Sequence, residues 1–230
     1  LTMTYVMSDI HGAYEQFLSL LSQINLGEDD ILYIAGDLVD YGEKGMELVG
    51  DLSVRLNVYP VAGDHDYTAA RMLHGFDKLL RAAEAGENAD PDPDYIAEMS
   101  AWVRDGGQPT LDGFRTLNSD EREGVLDYLG DLPLFEEFTV NGTDYLMVHA
   151  GIAGYRKGTD PDDYSPEDFF SEVPDAEYPL VEGKTLLVGH VRTKSGKIER
   201  GVGSIFLDCG AETGGKLGCL RLEDGKEFYA

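Results

Sequence analysis

Cysteine, tryptophan and positive charge are all scarce in this 230-residue chain. Two cysteines, Cys209 and Cys219, are too few for a disulfide-built scaffold, and their neighbouring strand-like runs are expected to hold them reduced and buried. Only 18 lysines and arginines stand against 44 aspartates and glutamates, a formal charge of −26. The clustered cations that grip a phosphate backbone are therefore missing, which excludes nucleic acid as a partner. No apolar run approaches the roughly 20 residues of a membrane span, and no signal segment precedes the first motif. A soluble, cytoplasmic protein with no membrane partner is expected. Internal repeats and linker-like composition are lacking too, so residues 1–230 read as one domain with ample length for a core. None of this bears on oligomeric state.

What the chain does have is carboxylate and imidazole at the ends of apolar runs. Residues 4–7 lead into Ser8, Asp9 and His11; 31–35 into Gly36, Asp37 and Asp40; 58–62 into Gly63, Asp64, His65 and Asp66. Residues 145–148 lead into His149, and 186–188 into Gly189 and His190. Short apolar runs rich in β-branched and aromatic residues predict buried strands, and a glycine after one lets the backbone turn beside a ligand. In an open α/β sheet the carboxyl ends of parallel strands share an edge, so residues from 9 to 190 can meet in one pocket. Four of the five histidines sit at these ends; only His74 lies elsewhere, in a predicted helix. Asp and His together suit Mn, Fe or Zn better than Mg or Ca, and one carboxylate can bridge two ions.

In order, the motifs are Asp9-Ile10-His11-Gly12, Gly36-Asp37-Leu38-Val39-Asp40-Tyr41-Gly42, Gly63-Asp64-His65-Asp66, His149-Ala150-Gly151 and Gly189-His190. This series resembles the calcineurin-like metallophosphoesterases, and more nearly the bacterial serine/threonine protein phosphatases of the phosphoprotein phosphatase type. The resemblance implies an α/β fold with a two-sheet β-sandwich core flanked by helices in four layers. It also implies two metal ions, Mn favoured and Fe or Zn possible. Asp9, His11 and Asp37 would hold the first, and Asp37, Asp64, His149 and His190 the second, with Asp37 bridging. Attack by metal-bound hydroxide would proceed without a covalent enzyme intermediate, while His65 protonates the leaving group and Asp40 holds its imidazole.

Two positions depart from the family pattern: Tyr41 stands where GDxVDRG has arginine, and Asp64 where GNH has asparagine. Arg192, Arg156 and Arg71 are the candidates for the missing phosphate-binding guanidinium. The expected activity is that of a dinuclear-metal phosphomonoesterase, a serine/threonine protein phosphatase acting on phosphoproteins or small phosphate esters. The alternative is a symmetrical dinucleoside tetraphosphate hydrolase, which should need cationic contacts along a polyphosphate; a weakly active phosphate-binding or regulatory protein is the third reading, prompted by Tyr41 and Asp64.

Elsewhere, Tyr14, Phe17, Leu18, Leu21 and Ile24 fall on one face of a first helix, and 44–56 offers a second. Residues 67–133 read as a helical insertion over the site, with helices around 76–83, 95–103 and 118–130. Within it, Trp102 is expected to pack the insertion. The Gly106-Gly107-Gln108-Pro109-Thr110 segment resembles a GGxxT stretch of the bacterial phosphatases, and reads either as a helix stop or as part of the phosphate pocket. Acidic loops at 84–98 and 158–179 read as solvated faces. The runs 204–209, 217–222 and 226–229 predict hairpin strands of the second sheet.

Overall fold

The computed structural model describes residues 2–230. Strands β1 (Thr4–Met7), β2 (Ile31–Ile34) and β3 (Val58–Pro60) run parallel, Thr4 opposite Ile31 and Leu32 opposite Val58. On the far side of β1 come two antiparallel strands, β9 (Gly218–Arg221) and then β10 (Glu227–Tyr229), completing the order β10-β9-β1-β2-β3. The second sheet has the order β4-β5-β6-β8-β7, with β4 (Phe135–Val140), β5 (Thr143–Val148), β6 (Thr185–Val188), β7 (Glu199–Gly201) and β8 (Ser204–Phe206). Within it β5, β6 and β8 are parallel neighbours.

The period of two along each strand divides the core into layers. Val6 of β1, Met147 of β5 and Leu187 of β6 meet between the sheets, where Tyr33 also stacks on Phe138 at 3.8 Å. Tyr5 and Met7 turn the other way, toward the helices. Leu146, Val148, Leu186 and Val188 face a segment carrying two short 3₁₀ turns, Pro161–Asp163 and Pro166–Phe169, which delivers the buried Phe169. Helices, sheet, sheet and turns thus form the four layers, each fully buried large apolar side chain contributing roughly 1.5–3 kcal/mol.

Helices α1 (Tyr14–Ile24) and α2 (Gly45–Leu52) cover the first sheet. Phe17, Leu20 and Ile24 are the buried positions of α1, whereas Leu18 is exposed, so the buried stripe is rotated from the expected one. Helix α2 stops at Leu52, and Leu56 stands in solvent. Helix α3 runs unbroken over Asp64–Glu84, so the helical region grows out of the helix that carries Asp64 and His65 rather than beginning at 67. It continues through α4 (Pro93–Trp102), a wide turn at Val103–Gly107, α5 (Gln108–Arg115) and α6 (Ser119–Gly130).

The expected hairpin between the two cysteine-bearing runs is not formed. Cys209 follows β8 in the second sheet, while Cys219 lies on β9 in the first; both are free and buried. The C-terminal strands therefore serve both sheets, because the short connection after β8 crosses between them. No helix among the described residues is long and apolar enough to cross a membrane.

Candidate metal centre

Four of the six ligand candidates, Asp9, His11, Asp37 and His190, leave their strands on a left-handed backbone. Among the described residues, eight non-glycines have positive φ, and Asp9, His11, Asp37, Asp40, Tyr41 and His190 are six of them. Such conformations cost of order 1–3 kcal/mol each and are retained where surrounding contacts over-determine them. Here those contacts join neighbouring loops: the backbone N–H of Asp9 donates to Gly36 O, that of His11 to Asp37 O, and that of Gly12 to Leu38 O. A Cβ on Gly63 would lie 1.9 Å from Asp37 Oδ1, so only glycine lets the start of α3 approach this carboxylate.

The two parallel strand groups deliver their residues to one place. Asp9, His11 and Asp37 can offer donor atoms all within 4.8 Å of one another, and so can Asp37, Asp64, His149 and His190. Asp37 belongs to both groups: its Oδ2 lies 3.3 Å from His11 Nε2 and 3.3 Å from His149 Nε2. Asp64 Oδ1 is 3.0 Å from His149 Nε2 and 3.1 Å from His190 Nδ1. Behind the rings, His11 Nδ1 meets Val39 O at 2.8 Å and His149 Nδ1 meets Ala35 O at 2.7 Å. Those carbonyls fix the tautomer that leaves each Nε2 free to ligate.

The electrostatics say what the cluster attracts. Burial raises the proton affinity of Asp37, yet His149 and His11 more than offset it and hold the carboxyl well below its ordinary range. Burial lowers the affinity of His11, but Asp37 and Asp9 raise it to about 10. Carboxylates buried this deeply need compensating positive charge, and the donor set of carboxylate oxygen and imidazole nitrogen fits two transition-metal cations.

His65 sits beside the cluster on α3. Burial depresses it, but the hydrogen bond from its Nδ1 to Asp40 Oδ2, 2.8 Å, leads the influences that raise it to about 9. Asp40 is fully buried and held from two further sides: Trp102 Nε1 donates to Oδ2 at 2.8 Å and the Thr110 hydroxyl donates to Oδ1 at 2.7 Å. The Gly-Gly-Gln-Pro-Thr segment is thus a buttress. Thr110 also accepts the backbone N–H of Asp40, and Gly106 O accepts that of Tyr41. A Cβ on Gly107 would meet the Trp102 indole at 2.3 Å. Trp102 does pack the insertion as expected, and its N–H makes it part of the site as well.

Asp208 and Glu212 escaped the sequence reading, and Asp66 stood there in a motif without a role. Asp66 is buried and accepts from the backbone N–H groups of Leu38 and Gly63, tying the 37–40 loop to α3. Asp208 is buried beside Asp9 and, after burial itself, leads the influences that push Asp9 upward. Glu212, on a 3₁₀ turn at Ala211–Thr213, receives Arg192 Nε. Asp208 did carry a signal: residues 205–207 are another apolar run ending in a carboxylate.

The cluster opens into a cleft of about 350 Å³ lined also by Tyr41, Arg192, Asp208 and Glu212. A second cavity, of about 400 Å³, shares Asp64 and His65 and carries Arg71, whose Nη2 donates to Glu98 at 2.9 Å. Of the three candidate arginines, Arg192 lines the ligand cleft and Arg71 its neighbour. Arg156 is exposed on the loop after Ile152 and lines neither. A hollow of about 630 Å³ between α2 and α5 is lined by Glu43, Glu47 and Asp112, none of which belongs to the converging ligand groups.

A sheet edge that concentrates its strained backbone around one shared carboxylate is built to hold cations, and residues 3–206 match the model of the calcineurin-like phosphoesterases. The chain belongs to that family of metal-dependent hydrolases. Among curated relatives, the symmetrical bis(5′-nucleosyl)-tetraphosphatase of Marinomonas sp. (strain MWYL1) is 31% identical over 65% of this chain, although the match spans only 44% of that relative. The protein of the same name from Salmonella arizonae is 27% identical over 98% of this chain and 93% of its own length. Among solved structures, one provisionally assigned as a diadenosine tetraphosphatase superposes with a TM-score of 0.66 at 20% identity, covering 100% of this chain and 93% of its own. A serine/threonine phosphatase from Saccharomyces cerevisiae gives 0.60 at 14% identity, covering 97% and 73%. At those identities the structures share the fold.

Proposed function

We propose that this protein is a two-cation phosphohydrolase that splits dinucleoside tetraphosphates symmetrically. The observation that carries the chemistry is the single carboxylate, Asp37, common to two Asp/His groups. Asp9, His11, Asp37, Asp64, His149 and His190 would hold a pair of divalent ions, whose chemistry would be Lewis-acid charge for phosphoryl oxygens and a lowered pKa for the attacking water. The remaining work falls to the chain. His65, kept protonated by Asp40, is placed to give its proton to the departing oxygen, and Asp40 is itself fixed by Trp102 and Thr110. Arg192 supplies the guanidinium that Tyr41 does not, a role in which planar two-point contact to phosphate is worth more than a point charge.

The substrate assignment reverses the first expectation from sequence. It is supported by relatives of that name along nearly the whole chain, whereas likeness to the protein phosphatase is one of fold. The want of cationic contacts for a polyphosphate also weakens as an objection, since Arg192 and Arg71 line adjoining cavities that share Asp64 and His65. The test is to offer Mn-loaded protein diadenosine tetraphosphate, a phosphoserine peptide and an aryl phosphate, and to separate the products. Two molecules of ADP per tetraphosphate are expected. An uncleaved tetraphosphate alongside rapid peptide dephosphorylation would return the assignment to a protein phosphatase.

A further inference from the structure

Arg192 and Glu212 form an ion pair of unequal members. The arginine side chain is 54% exposed, whereas the glutamate side chain is 4% exposed, and both line the ligand cleft. The pair is not closed in its strongest form. A bidentate contact would use both carboxylate oxygens and two guanidinium nitrogens. Here Glu212 Oε1 takes Nε alone, and Oε2 is buried without a partner. Among the described residues Arg192 Nη1 and Nη2 have no hydrogen-bond partner, while the stem lies over Gly210, where an added Cβ would be 3.6 Å from Arg192 Cδ. The guanidinium is gripped at its inner nitrogen and left open at its outer two. A free arginine on a cleft rim loses rotamer freedom when it closes on an anion, and a tether at Nε removes part of that loss beforehand.

We infer that Glu212 is a positioning residue: it holds Arg192 by Nε so that both terminal amino groups face the phosphoryl group bound beside the metal ligands. This rests on the proposed reading that the cleft binds phosphoryl groups, and it applies whichever phosphate compound is the substrate. Glu212 also adds negative charge to an acidic cleft, so a purely electrostatic role predicts the opposite outcome, tighter anion binding once it is removed.

The test is titration calorimetry of inorganic phosphate into the Mn-loaded full chain. Glu212→Ala is expected to weaken binding about three- to tenfold, the scale of one immobilised side chain. Glu212→Asp keeps the charge but is one methylene too short to reach Nε, and should weaken binding as much. Glu212→Gln keeps an oxygen that accepts Nε–H and should stay within about twofold of wild type. In an Arg192→Ala background, Glu212→Ala should add no further loss. Unchanged or tighter binding in Glu212→Ala, wild-type binding in Glu212→Asp, or an equal loss with Arg192 absent would overturn the inference. Because the readout is phosphate binding, a wrong choice of nucleotide substrate would leave this result standing.

Discussion

Replacing Asp40 with asparagine isolates what its charge does for His65. The amide oxygen can still accept from Trp102 Nε1 and His65 Nδ1, which both meet Oδ2, while the Thr110 hydroxyl rotates to accept from the new NH₂ group. Shape and hydrogen-bond count survive; the negative charge does not. With the carboxylate, His65 is raised from 6.5 to about 9 against the pull of burial. Without it, Asp37 still raises the imidazole against burial and His11, so its value should fall from about 9 toward the ordinary 6.5. A proton donor works only in its protonated form, so activity on a poor leaving group is lost as pH rises through this value. A full fall to 6.5 would take the protonated fraction at pH 8 from about 0.9 to about 0.03, which sets the largest loss at roughly 30-fold, against only about 1.3-fold at pH 6. Bound cations repel the imidazolium in both proteins alike, so the displacement between the two pH profiles carries the result. The assay is kcat/KM against pH for an alkyl and an aryl phosphate ester, the latter leaving without full protonation. Superimposable alkyl profiles, or an aryl loss equal to the alkyl loss, would refute the role given to the His65–Asp40 pair.

Asp64→Asn removes one carboxylate charge from the ligand set and should raise kcat/KM about tenfold at saturating metal, within the ~1–4 kcal/mol that two unit charges ~4 Å apart exchange near a protein surface. Steady-state kinetics check this, and equal or lower activity would show the carboxylate to be required. Far from the site, Asp77 accepts from Arg81 Nε at 2.6 Å and from the buried Arg122 Nε at 2.7 Å, joining α3 to α6. Asp77→Ala should cost about 2 kcal/mol in urea unfolding at pH 7, because it removes the charged partner of Arg122 Nε while Glu84 and the Leu117 carbonyl still hold the other two nitrogens. Burial raises Asp77 but the two arginines hold it below its ordinary value. Its contribution is therefore complete above the unfolded pKa and fades as pH falls through the lower folded value, so the gap between mutant and wild type should begin to narrow below about pH 4 and close only below the folded value.

The strand ends were legible because buried strands and ligand loops obey a local rule: an apolar run, then a carboxylate or imidazole, with glycine where the chain must approach closely. That rule located all six ligand candidates and His65. What escaped was non-local. Trp102 is an apolar residue by composition, and its bond to Asp40, 62 positions away, follows from the turn at Val103–Gly107 folding α4 and α5 back over the loop. The role of Thr110 has the same origin. The sheet membership of β9 and β10 depends on where the connection after β8 crosses, which no strand pattern encodes. The buried stripe of α1 was misjudged because Leu18 and Leu20 are equally apolar, and only the sheet beneath decides between them.

The account turns on Asp37 serving two cations at once. Crystals grown with Mn, measured at its absorption edge, should show two anomalous peaks per chain. One is expected among Asp9, His11 and Asp37, the other among Asp37, Asp64, His149 and His190, with Asp37 touching both. A single peak, or a second ion that leaves Asp37 uncoordinated while His149 and His190 turn away, would contradict it.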